Sequence, residues 1–104
     1  MIYVDDLADA CVFFMNKKIR ETIVNIGTGV DFRIKDYVRI IGKVIIPNKK
    51  IYIRYDKSKP NGTPRKLLNT NLAKSYGWKP KTKLEKAIFH TYMDFLNKNH
   101  VYKF

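Results

Sequence analysis

The sequence predicts an α+β fold of about four helices and two or three short strands within one domain. Two features carry this. Three stretches repeat apolar residues at helical spacing and a fourth, short one is bounded by helix caps, while two others are short and β-branched or alternate apolar with polar. Length sets the ceiling, because 104 residues can bury one hydrophobic core but not a second independent one.

Taken in order, Leu7, Ala10, Cys11, Phe14 and Met15 recur at helical spacing and predict a helix over 6–16 with Cys11 on its apolar stripe. Asp5 or Asp6 is expected to cap it, with Lys17 and Lys18 facing the negative end of its dipole. Residues 22–26, Thr-Ile-Val-Asn-Ile, run into Gly27-Thr28-Gly29 and predict a buried strand entering a tight turn. Ile34, Tyr37, Val38, Ile41, Val44 and Ile45 form the stripe of a second helix, which must stop before Pro47 because proline disfavours helical geometry in the residue preceding it. Ile51, Ile53 and Tyr55 alternate with Tyr52 and Arg54, the period of a half-buried strand. Residues 71–76 predict a short helix capped by Asn69 or Thr70. Gly77 ends it in the left-handed conformation and Trp78 folds back over it. Thr82-Lys83-Leu84-Glu85 reads as a capping box opening a last helix, whose stripe is Leu84, Ile88, Tyr92 and Phe95 and which frays near residues 97–99.

Composition narrows the function classes. A hydrophobic fraction of 45% excludes a disordered chain. The single Cys11 cannot form an internal disulfide, so a cytoplasmic location is expected. The start is acidic and the apolar run 10–15 is short, so neither a signal peptide nor a membrane partner is expected. A formal charge of +12 attracts polyanions, whether nucleic acid, acidic lipid or a phosphorylated small molecule. A small basic nucleic-acid-binding module is therefore an alternative reading. Against it, the aromatics fall mostly on apolar stripes rather than beside Lys or Arg on an exposed platform, so nucleic acid is not the expected partner. His90 and His100 have no carboxylate or thiol at ligand spacing, and no metal site is expected.

Residues 56–69 lack periodicity and carry Pro60, Pro64, Gly62, Lys57, Lys59, Arg65 and Lys66, which predicts a long basic loop. Gly62, between Asn61 and Thr63, lets the backbone approach a ligand closely, and Lys59, Arg65 and Lys66 offer charge-assisted bonds to a diphosphate. Such bonds contribute about 1.5–3 kcal/mol each when formed.

Four segments carry a family resemblance. Residues 3–10, Tyr-Val-Asp-Asp-Leu-Ala-Asp-Ala, residues 25–29, Asn-Ile-Gly-Thr-Gly, and residues 77–85, Gly-Trp-Lys-Pro-Lys-Thr-Lys-Leu-Glu, resemble motifs of extended short-chain dehydrogenases/reductases, the class of sugar-nucleotide epimerases and dehydratases. Residues 58–69, Ser-Lys-Pro-Asn-Gly-Thr-Pro-Arg-Lys-Leu-Leu-Asn, resemble the SKPDGTPRKLLD stretch of GDP-L-fucose synthases. The resemblance covers nearly the whole chain as a C-terminal portion of that family, with an α/β parent fold whose dinucleotide-binding Rossmann half is absent. It implies that 1–31 are the last elements of the cofactor domain and 32–104 the sugar-nucleotide-binding domain.

Family members convert GDP-4-keto-6-deoxymannose to GDP-L-fucose by two epimerisations and a reduction by NADPH. The resemblance thus implies a GDP-sugar as partner and Lys66 as a substrate contact. Asn61 stands where the family has a substrate-contacting aspartate, which removes a charge but adds a donor. Arg65 and Lys59 complete the expected binding set. The family's Tyr-x-x-x-Lys pair, Ser, Cys and His belong to the N-terminal portion, so no catalytic residue and no NADP(H) site is expected in this chain alone. Gly27-Thr28-Gly29 lacks the third glycine of a dinucleotide cradle. Met1 falls just after a substrate-binding arginine of the family, so a truncated reading frame, a gene remnant or a split enzyme with a separate cofactor-binding chain is expected. Arg33 stands where the family caps its helix with serine.

Overall fold

The computed structural model describes residues 1–98; His100, Tyr102 and the end of the expected fraying lie outside the described residues. Four helices form in chain order, α1 (Val4–Met15), α2 (Ile34–Ile45), α3 (Asn71–Ser75) and α4 (Leu84–Lys98), with no strand among the described residues. The expected α+β class is therefore corrected to all-helical. A strand exists only through hydrogen bonds to a neighbour. The two predicted strands fall in different compact units, one made of 1–31 with 60–82 and the other of 32–59 with the chain from 83 onward. The alternation expected over 51–55 is visible as burial only as far as Ile53: Ile51 and Ile53 are half-buried and Tyr52 is exposed, but Tyr55, expected on the inner face, is 67% exposed. Residues 22–26, expected as a buried strand, have Val24 and Ile26 half-buried and Ile23 77% exposed.

In the first unit the core is small. Ala10 of α1, Ala73 of α3 and Trp78 are buried together, with Ile2, Phe13, Phe14, Val24 and Ile26 packed around them. The two alanines leave room for the indole. The end of α3 delivers the ring: Gly77 has φ +97°, its N–H donates to Lys74 O at 2.9 Å, and Trp78 N–H donates to Ala73 O at 3.0 Å. These paired bonds close the helix and turn Trp78 back over it, as the Gly-Trp pair predicts.

The acids of α1 work at longer range than expected. Its first turn follows an extended Tyr3, with no side-chain cap. Buried Asp6 instead accepts the Thr82 N–H at 3.0 Å and the Thr82 hydroxyl at 2.9 Å, while Asp9 accepts Trp78 Nε1–H at 2.9 Å and Lys81 Nζ at 3.0 Å. At the other end Asn16 Nδ2 donates to Val12 O at 2.8 Å, and Lys17 lies over the Phe13 ring instead of at the carbonyls. Cys11, expected on the buried stripe, is exposed, as are Leu7 and Met15. With only Ala10 fully covered, α1 buries a narrower stripe than its spacing suggests.

In the second unit α2 packs on α4, burying Ala87 and Ile88, with Tyr37, Ile41, Val44, Ile45, Leu84 and Tyr92 half-buried. The stripe residues Ile34, Val38 and Phe95 stay exposed. Arg33 is the N-cap of α2 and makes no side-chain cap bond, because a guanidinium has no acceptor to offer. Arg33→Ser is therefore expected to stabilise the chain by about 1 kcal/mol. Urea unfolding followed by circular dichroism checks this, and an unchanged midpoint would count against it.

Candidate functional site

The site grows from the turn after Ile26. Thr28 folds its hydroxyl onto the backbone two residues ahead, donating to Val30 O at 3.0 Å and accepting Val30 N–H at 3.3 Å. Gly29 has φ +72°, and a Cβ there would stand 2.8 Å from Oγ1 of buried Thr70. The turn thus needs glycine for its conformation and for the close approach of residue 70.

This turn presents Asp31 to the basic loop. Arg65 Nε donates to Asp31 Oδ2 at 2.7 Å and Arg65 Nη2 to Oδ1 at 3.1 Å, a two-point pair matching the planar guanidinium to the carboxylate. Hydrogen bonding from Arg65, with its charge second, holds the Asp31 carboxyl below the usual range and raises the Arg65 guanidinium in turn. Beside the pair runs an open groove of about 130 Å³, lined by Met1, Ile2, the turn 26–30 and Lys66, Leu67 and Leu68. A wider depression of about 300 Å³ shares Gly29, Leu67 and Leu68 and adds Thr70 and Lys74.

Among the expected site residues, Lys66 lines this groove and Arg65 does not, and the two differ in what they have free. Arg65 is committed to Asp31, whereas Lys66 is exposed and in no ion pair among the described residues. Asn61 lies in the same unit on an exposed stretch where Gly62 has open space around it. Lys59 is exposed and belongs to the second unit. In that unit Asp56 accepts the Ser58 N–H at 2.9 Å and the Ser58 hydroxyl at 2.6 Å, which makes 56–58 a turn and holds the Asp56 carboxyl below its ordinary range.

Sequence reasoning missed Lys74 and Asp31. Lys74 reaches the adjoining depression from α3, its Nζ 3.4 Å from where a Gly29 Cβ would stand. The motif alone shows that residue only as helical surface. The expectation of no catalytic pair also passed over Tyr55 and Lys59, which do have the Tyr-x-x-x-Lys spacing. That spacing aligns two side chains only on a helix. Residues 55–59 are not helical, so it does not place these two on one face. Among the described residues no group of three or more His, Cys, Asp or Glu could hold a metal, and no helix is long and apolar enough to cross a membrane.

Several carboxylates of this unit titrate below their ordinary values. Asp9 is lowered by hydrogen bonds from Lys81 and Trp78, Glu21 by the Tyr76 hydroxyl, and Asp31 by Arg65. A carboxyl lowered on folding stabilises fully above its unfolded pKa and loses that contribution as the pH falls through the folded value. The melting temperature is therefore expected to hold down to about pH 4 and fall progressively below it. Thermal melts from pH 6 to 2 test this, and a flat profile would refute the linkage.

No protein-family model matches the chain. Among curated proteins, it is 39% identical over 98 residues to GDP-L-fucose synthase 1 of Arabidopsis thaliana, which covers 94% of this chain and 29% of that protein. It is 40% identical over 98 residues to GDP-L-colitose synthase of Yersinia pseudotuberculosis, covering 92% of this chain and 31% of that protein. With GDP-L-fucose synthase of Escherichia coli (strain K12) it shares 36% identity over 104 residues, covering 91% of this chain and 32% of that protein. The chain spans less than a third of the length of the curated relatives it matches.

Proposed function

Because the chain belongs to the GDP-L-fucose synthase family, we propose that it is a GDP-sugar-binding portion of an enzyme of that family, active only with a cofactor-binding portion supplied elsewhere. The supporting observation is Lys66, an exposed cation in no ion pair among the described residues, which lines a groove together with the turn 26–30. A diphosphate lying there would take charge-assisted bonds from Lys66, with Lys74 on the adjoining depression. Asn61, Arg65 and Lys59 enter the proposal through the resemblance of 58–69 to the family's substrate loop. Relatives named for fucose and for colitose are almost equally similar, at 39% and 40%. The proposed determinant in this portion is therefore the GDP moiety, with the sugar read by other residues. In the complete enzyme the proposed reaction is epimerisation and NADPH-dependent reduction of GDP-4-keto-6-deoxymannose to GDP-L-fucose.

NADPH itself does not fit the residues present. A dinucleotide pyrophosphate sits where a glycine-rich turn leads directly into a helix N-terminus. Here Gly29 is followed by Val30–Arg33 before α2, and by Asp31, a negative charge already paired with Arg65. The cofactor is accordingly assigned to the separate portion.

Isothermal titration tests the proposal. GDP is expected to bind weakly, and Lys66→Ala to reduce the affinity by about tenfold, the effect of one charge-assisted bond. If GDP and inorganic phosphate bind equally well, or Lys66→Ala binds like the parent chain, the proposed site is wrong.

A further inference from the structure

We infer that Asp31 is a positioning residue that tethers the basic loop through Arg65 and so sets Lys66 at the groove; the inference rests on the site proposed above. Residues 59–68 have no regular structure and are exposed throughout, so on their own they would sample many conformations. Against that background the Arg65–Asp31 pair joins positions 34 apart in sequence by two bonds of 2.7 and 3.1 Å, although the Arg65 side chain is 67% exposed. The acceptor end is built. Thr28 pins the backbone at Val30, the residue before Asp31, and Gly29 takes a left-handed conformation against buried Thr70. Lys66 is the next residue after the tethered arginine and lines the groove with that same turn.

An arginine two-point bonded to a carboxylate has given up its best geometry for a phosphate. Arg65 is thus the anchor, and Lys66 is the contact. The two roles make opposite predictions. If Arg65 were the direct anion contact and Asp31 its competitor, removing the acid would free a cation and take a negative charge from an anion site, and GDP would bind more tightly. If Asp31 positions the loop, removing it must weaken binding despite the favourable change in charge.

The experiment compares the whole chain with Asp31→Asn and Arg65→Lys, after circular dichroism melts have shown each to be folded. Asp31→Asn is expected to weaken GDP binding at least fivefold. Arg65→Lys, which keeps the charge but loses the planar fork, should weaken it similarly, and the double variant should lose no more than either single one. Hydrogen exchange at the amides of 65–68 should be faster in both variants. Unchanged or tighter GDP binding by Asp31→Asn, or unchanged exchange, overturns the inference. If the parent chain binds no GDP at all, the site reading falls. Exchange alone then decides the tether, with faster exchange upholding it and equal exchange refuting it.

Discussion

Trp78→Ala is expected to lower the free energy of unfolding by about 4 kcal/mol. The ring is 3% exposed and is the one large member of a core whose other fully buried members are Ala10 and Ala73. Neither alanine can expand into the space vacated. The substitution also takes the indole N–H from Asp9, which keeps Lys81 as partner. Globular chains have only about 0.05–0.15 kcal/mol of stability per residue, so this loss is a large share of the total. Trp78→Phe separates the contributions, because it retains an aromatic ring and loses only the donor and part of the volume; about 1.5 kcal/mol is expected. Urea denaturation followed by far-ultraviolet circular dichroism measures both. A Trp78→Ala midpoint close to that of the parent would mean that Trp78 does not organise this core.

Gly29→Ala is expected to cost about 3 kcal/mol, while Gly27→Ala, two residues away in the same turn, costs well under 1 kcal/mol. The difference lies in the backbone and in what stands opposite. Gly29 has φ +72°, where a Cβ costs about 1–2 kcal/mol, and that Cβ would meet Thr70 Oγ1 at 2.8 Å. Thr70 is 4% exposed, so it cannot swing clear, and such overpacking adds about 1–3 kcal/mol. A Cβ at Gly27 would lie 3.6 Å from Thr70 Cγ2, an ordinary contact. Because Gly29 fixes the turn that presents Asp31, Gly29→Ala should also loosen the Arg65 pair. Equal costs at the two positions would show that the turn is not held by Gly29.

The helices were legible because their information is local. The stripe of 34–45, the stop before Pro47 and the Gly77-Trp78 closure all lie within a few residues of what they determine. The strands were not, since alternation at 51–55 sorts side chains by face but cannot name a partner. Thr82 shows the same limit. Its reading as the first residue of a capping box rested on Glu85 three positions on, yet its hydroxyl donates to Asp6. At the candidate site the loop and its cations could be read from composition, while the Asp31–Arg65 pair, spanning 34 positions, left no local trace.

The extended segments have one more consequence. Residues 22–26 and 51–55 carry β-branched side chains on backbone with no ladder partner among the described residues. Such backbone is a template for pairing with another copy. The charge of +12 opposes such pairing, and its reach is about 10 Å at 0.1 M salt but only about 3 Å at 1 M. The tendency of these segments to pair between copies is therefore expected to grow with ionic strength, because screening removes the repulsion and leaves the unpaired backbone untouched.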